Sequence, residues 1–150
     1  MVKLNFPEYE IHLLEKDGKL TVFDPARKKY VLLTPEEWVR QHVIRFLVTD
    51  RGIPLSLIRV EAEFSLFRTK KRFDIAVCDR NGKGLLVVEC KAPGVLLTQN
   101  VLDQAVRYNM TLRVNLLMLT NGLQHIYLRM SPEDGIMRQF SELPAYPFSE

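Results

Sequence analysis

An α/β fold is what this sequence predicts: a mixed β-sheet flanked by helices, with a β-rich preamble ahead of it. Three observations carry that reading. A helix opening at Thr34-Pro35-Glu36-Glu37 and a second over roughly Gln99 to Met110 bracket three strand-like segments, and two more strand segments follow. After the preamble the order is thus α-β-β-β-α-β-β, the alternation expected of a mixed sheet with helices on its faces. The run Leu85 to Val88 is apolar on both faces, as a central strand requires. At 150 residues, 47% hydrophobic and 26% charged, the chain can bury the core of one domain and should fold rather than stay disordered.

Residues 9–33 read as short β segments, with turns at Lys16-Asp17-Gly18-Lys19 and Asp24-Pro25-Ala26-Arg27. Thr34 then supplies an N-cap, Pro35 the first helical position, and Glu37 the acid of a capping box. Trp38, Val39, His42, Val43, Phe46 and Leu47 recur at helical spacing, so Trp38 belongs to the core face. This helix should end near Asp50-Arg51-Gly52. Residues 57–66 alternate, with Ile58, Val60, Ala62 and Phe64 on one side and Arg59, Glu61 and Glu63 on the other. The basic cluster Arg68-Thr69-Lys70-Lys71-Arg72 leads into a strand over 73–78, and the hairpin turn 79–84 leads into the next, Leu85 to Cys90. The second helix turns Leu102 and Val106 inward. Strands at about 114–120 and 124–130 flank the Thr120-Asn121-Gly122 turn, and the end of the chain reads as irregular. The expectation is one domain over 1–150, with a core at about 34–130, a β-rich extension over 1–33 and an irregular tail over 131–150.

Net charge is only +3, with a pI near 8.9, a balance compatible with nucleic acid without demanding it. Cys78 and Cys90 fall on neighbouring strands with opposite parity, so their thiols point to opposite sides of the sheet and cannot bridge. Free thiols fit a reducing cytoplasm. No apolar signal core opens the chain and no run reaches membrane-spanning length, so a cytoplasmic protein with no membrane partner is expected. His12, His42 and His125 lack metal-ligand spacing. No Ser, His or Cys arrangement argues for nucleophilic catalysis, and there is no Gly-rich phosphate loop.

The chemistry lies in Asp74 and in Glu89-Cys90-Lys91. Both acids interrupt apolar strands, and side chains two apart on a strand share a face, which pairs Glu89 with Lys91. Taken alone, that pair also fits a lateral salt bridge at a strand end. Against that stands the apolar run before Glu89, where an ionised carboxylate is costly without a metal or a cation. Adjacent antiparallel strands would bring Asp74 and Glu89 within reach of one Mg2+ or Mn2+ ion, and the backbone carbonyl of Cys90 could add a further oxygen. Lys91 could then help deprotonate an attacking water or stabilise charge developing on phosphorus. The cluster containing Arg68, Lys70, Lys71 and Arg72 reads most simply as a solvated loop, and its place just before Asp74 also suits a phosphate-binding rim.

With Gln104-Ala105-Val106-Arg107-Tyr108 on the next helix, the chain resembles the PD-(D/E)XK nucleases, specifically the N-terminal nuclease domain of type I restriction enzyme R subunits. The segments Phe23 to Val31, Thr34 to Glu37 and Leu119 to Gly122 share that resemblance, which spans about residues 9–130. It implies a restriction-endonuclease-like fold and a metal-dependent DNA phosphodiester hydrolase of endonuclease type. Asp74 and Glu89 would bind metal, Lys91 would be catalytic, and Gln104 and Tyr108 would support the site or contact DNA. Some relatives complete the metal site with an acid on the first helix, a role for Glu37 that competes with its capping job. Phe73 departs from the namesake proline, and at this length no helicase motor is expected within the chain. The resemblance makes DNA the partner and is compatible with a separate motor or another restriction or repair subunit, and with a homo-oligomer. The alternative is a non-catalytic nucleic-acid-binding or assembly module that keeps the fold.

Overall fold

A computed structural model describes residues 1–61, 73–112 and 114–148. Three strands, β1 (Leu13–Lys16), β2 (Lys19–Asp24) and β3 (Lys29–Leu32), form an antiparallel sheet in that order. Its turns fall where the sequence puts them, with Asp17 and Gly18 at φ 52° and 77° in the first. Helix α1 (Pro35–Arg45) follows, and the Thr34 hydroxyl accepts the Glu37 amide at 3.0 Å. Only half of the predicted capping box forms. The Glu37 side chain is drawn instead into buried ion pairs, because Arg27 and Arg40 offer it full charges. A π-helical turn, Phe46–Asp50, carries the chain on to Gly52, whose φ of 71° ends the helix.

The larger sheet has six strands, β4 (Ile58–Val60), β5 (Ile75–Cys78), β6 (Gly84–Cys90), β7 (Leu116–Thr120), β8 (His125–Met130) and β9 (Met137–Phe140), ordered as in the chain. All neighbours are antiparallel except β6 and β7, which run parallel. A parallel pair needs a long crossover, and α2 (Gln99–Leu112) supplies it. Alternation along the central strands then feeds two cores. Ile75, Val77, Leu86, Val88 and Cys90 pack with Val39, Val43 and Ile44 of α1. Phe73, Ala76, Cys78, Val87, Leu117 and Leu119 pack towards Leu102, Ala105 and Val106 of α2. Cys78 and Cys90 are buried, free and in different cores, as their parity predicts.

Three expectations need correction. Of the alternating strand predicted over 57–66, the described residues show Ile58–Val60 as strand, with Leu57 in a 3-10 turn and Glu61 at φ 49°. The carboxylate of that left-handed residue meets Arg27 and Arg40. The remainder of that segment and the basic cluster through Arg72 lie outside the described residues. The strand predicted to begin at 73 begins at Ile75, with Phe73 and Asp74 as a bent approach. The tail is not simply irregular, because Met137–Phe140 pairs with Tyr127–Met130 as an edge strand. Its short Met-Arg-Gln-Phe run has no apolar alternation of its own, so tertiary pairing decides it. Beyond it Leu143 is fully buried, and the Tyr146 amide donates to Arg51 O at 2.7 Å.

Candidate active site

The site lies at the carboxyl ends of the parallel strands β6 and β7, the usual ligand end of an open α/β sheet. Ile75 pairs with Val88, so continuing the antiparallel register sets Asp74 opposite Glu89. The Asp74 carboxylate closes the end of this ladder: Oδ2 accepts the Cys90 amide at 2.7 Å. Cys90 therefore meets the acid through its amide. On the other side of the carboxylate, Oδ1 lies 3.5 Å from Arg40 Nη2 of α1. Asp74 is the more buried of the two acids, with its side chain 17% exposed against 28% for Glu89. Burial, together with the nearby Glu89 charge, outweighs the Cys90 amide and Arg40 and pushes its pKa up to about 7. A desolvation cost of the kind expected at Glu89 thus falls on Asp74.

Glu89 and Lys91 share a face, as strand parity requires, and Lys91 Nζ sits 3.3 Å from Glu89 Oε1. The Lys91 amide donates to Thr120 O at 2.8 Å, which pins this residue to the end of β7. The loop after it is pinned as well. Asn121, buried in the β7–β8 turn, donates from Nδ2 to Val95 O at 2.9 Å and accepts the Leu123 and Gln124 amides through Oδ1.

From α2, Tyr108 packs its ring against Phe73 at a centroid distance of 4.9 Å. Burial first, then the charges of Glu89 and Asp74, raise the pKa of its phenol, so Tyr108 stands in the field of both acids. Phe73 is thus a support for this tyrosine. Gln104, one turn earlier, is exposed.

Behind Asp74 lies an ion network that the sequence did not announce. Arg40, with its side chain only 6% exposed, has Nη1 3.1 Å from Glu61 Oε1, Nε 3.5 Å from Glu37 Oε2 and Nη2 3.7 Å from Glu36 Oε1. Arg27 joins Glu37 at 2.8 Å to Asp24 at 2.6 Å. Asp24 has no exposed surface. Burial alone would raise its pKa, but the amide and guanidinium of Arg27, aided by Gln41, hold it low. Glu37 is thereby committed to Arg27, Arg40 and Gln41. The local signals for this network were the spacings of Glu36 and Glu37 from Arg40 and of Asp24 from Arg27, which ordinarily mark solvated surface pairs.

A family model described as the type I restriction enzyme R protein N terminus matches residues 35–144. The chain belongs to this family. The match contains Asp74, Glu89, Lys91, Gln104 and Tyr108, takes in the edge strand β9, and begins after the three-stranded preamble. No curated protein matches the chain. As an R-protein N-terminal domain, it is related to the nuclease part of restriction enzymes. Among the described residues no helix is long and apolar enough to cross a membrane. Among the same residues, no three His, Cys, Asp or Glu side chains converge as a metal-holding group.

Proposed function

We propose that this R-protein N-terminal domain hydrolyses DNA phosphodiesters with Mg2+ or Mn2+, using Asp74 and Glu89 to hold the ion and Lys91 as the catalytic cation. The observation that carries the reading is the meeting of Asp74 and Glu89 across the β5–β6 register, with Lys91 Nζ 3.3 Å from Glu89. The donor set fits such an ion. Mg2+ is commonly held by one or two carboxylates together with substrate phosphate, and Asp74 Oδ1, on the side away from the Cys90 amide, meets only the Arg40 guanidinium at 3.5 Å. The ion, once bound, polarises a phosphoryl oxygen and lowers the pKa of its water. Lys91 brings three N–H donors on one positive charge to the oxygens where negative charge grows during cleavage. Tyr108, braced on Phe73, edges the site, and DNA together with other restriction subunits are its proposed partners.

Purified protein should nick supercoiled plasmid with Mg2+ or Mn2+. Asp74→Ala, Glu89→Ala and Lys91→Ala should each remove the activity while circular dichroism stays unchanged. Cleavage persisting in Asp74→Ala sinks the assignment. The second reading, a nucleic-acid-binding or assembly module without catalysis, draws on the ion pairs that already occupy both acids. Wild-type protein that shifts DNA in a gel and never cuts it would favour that reading.

A further inference from the structure

Arg40 is an unusual cation. It is buried, it faces four carboxylates, and its contacts are unequal. Glu61 holds Nη1 at 3.1 Å, whereas Nη2 reaches Asp74 and Glu36 only at 3.5 and 3.7 Å. Its Nε and Nη1 are fully buried yet lack aligned hydrogen bonds, so the guanidinium is kept by charge more than by directed bonding. A forked, bidentate clamp, the strong mode of arginine–carboxylate pairing, is absent at Asp74. That acid is instead oriented by the Cys90 amide at 2.7 Å, and Arg40 covers only its other oxygen.

We infer that Arg40 is a displaceable counter-ion, compensating the buried Asp74 charge until a divalent ion arrives and then withdrawing onto Glu61 and Glu37. The inference rests on the metal-site reading above. It acts through Asp74, so Arg40 is a positioning residue and not a catalytic one. The physical reason is charge competition. A divalent ion held by the Asp74 carboxylate would be repelled by the guanidinium that lies 3.5 Å from Oδ1. Withdrawal leaves no orphaned charge, because Glu61 and Glu37 keep hold of Nη1 and Nε. Removing the guanidinium should therefore tighten ion binding, even though it exposes the network to uncompensated repulsion and lowers the melting point in metal-free buffer.

Calorimetric titration of Mn2+ into wild type, Arg40→Gln and Arg40→Lys, at mildly alkaline pH, tests this. Arg40→Gln should bind on the order of ten-fold tighter than wild type, and Arg40→Lys should restore the wild-type affinity. In an Asp74→Asn background the Arg40→Gln gain should vanish. A purely structural Arg40 would move the melting point and leave Mn2+ affinity alone. Unchanged affinity in Arg40→Gln, or a gain that survives Asp74→Asn, overturns the counter-ion role and leaves the metal site standing. If neither wild type nor Arg40→Gln takes up Mn2+, the metal reading itself falls and this inference falls with it. If Arg40→Gln does not fold, Glu61→Gln serves. Weakening the retreat position should reduce Mn2+ affinity several-fold, and unchanged affinity there overturns the role equally.

Discussion

At Asp74, burial and the neighbouring Glu89 both oppose ionisation, and the Cys90 amide with Arg40 only partly offsets them. The pH consequence follows from linkage. The native state binds the Asp74 proton more tightly than the unfolded chain, whose carboxyl titrates near 3.8. The stability this group contributes is therefore complete below that value, declines as pH rises, and is lost above about 7. Asp74→Asn should thus raise stability in metal-free buffer near pH 8, by on the order of 2 kcal/mol. The advantage should shrink through neutrality and disappear in acid. Urea titrations of both proteins across pH will check this, and a gain that does not depend on pH would contradict it. Glu89, at the same site, is more exposed and lies beside the Lys91 ammonium.

Among the elements, the β7–β8 turn does the most joining. Thr120 takes the Lys91 amide, Asn121 ties down the loop after Lys91, and Gly122 O accepts the Asn5 amide at 2.8 Å. Gly122 has φ 85°, and a Cβ built there would lie 2.8 Å from Leu4 Cδ2 and 3.0 Å from Val39 Cγ2. Gly122→Ala should therefore destabilise the fold by about 1–3 kcal/mol, through backbone strain and displacement of Leu4. An unchanged urea midpoint would show that the N-terminal segment yields freely. Helix α2 matters to the site for another reason. It links two parallel strands, so it must cross one face of the sheet, and that crossing carries Tyr108 to the ends of β5 and β6.

For the molecule as a whole, the mild positive charge acts through its distribution. The basic run at 68–72 lies just ahead of Asp74 in the chain. If it forms a phosphate-binding rim, replacing Arg68, Lys70, Lys71 and Arg72 by Gln should weaken duplex binding similarly for unrelated sequences. The slope of log affinity against log salt should flatten by about 0.9 for each phosphate no longer neutralised. Fluorescence anisotropy at several salt concentrations reads this directly, and an unchanged slope would return the cluster to an ordinary solvated loop.

Much of this architecture was legible in local pattern. The Thr34 cap, the inward face of α2, the turn residues and the both-sides-apolar Leu85–Val88 run each follow from period, capping or turn chemistry within a few residues. So does the face shared by Glu89 and Lys91, because strand parity is local. The start of β5 at Ile75, the edge strand β9 and the left-handed turn of Glu61 towards Arg27 and Arg40 depend on partners distant in the chain, and local preference had no access to them. The same is true of Arg40. By itself the sequence determined which residue types could do chemistry and on which elements they ride. Only the tertiary structure decided that Asp74 bears the desolvation, and that the Arg40 guanidinium lies 3.5 Å from it. The physical reason is that burial and electrostatic balance come from the summed surroundings of a side chain, which the sheet register and the packing of α1 bring together.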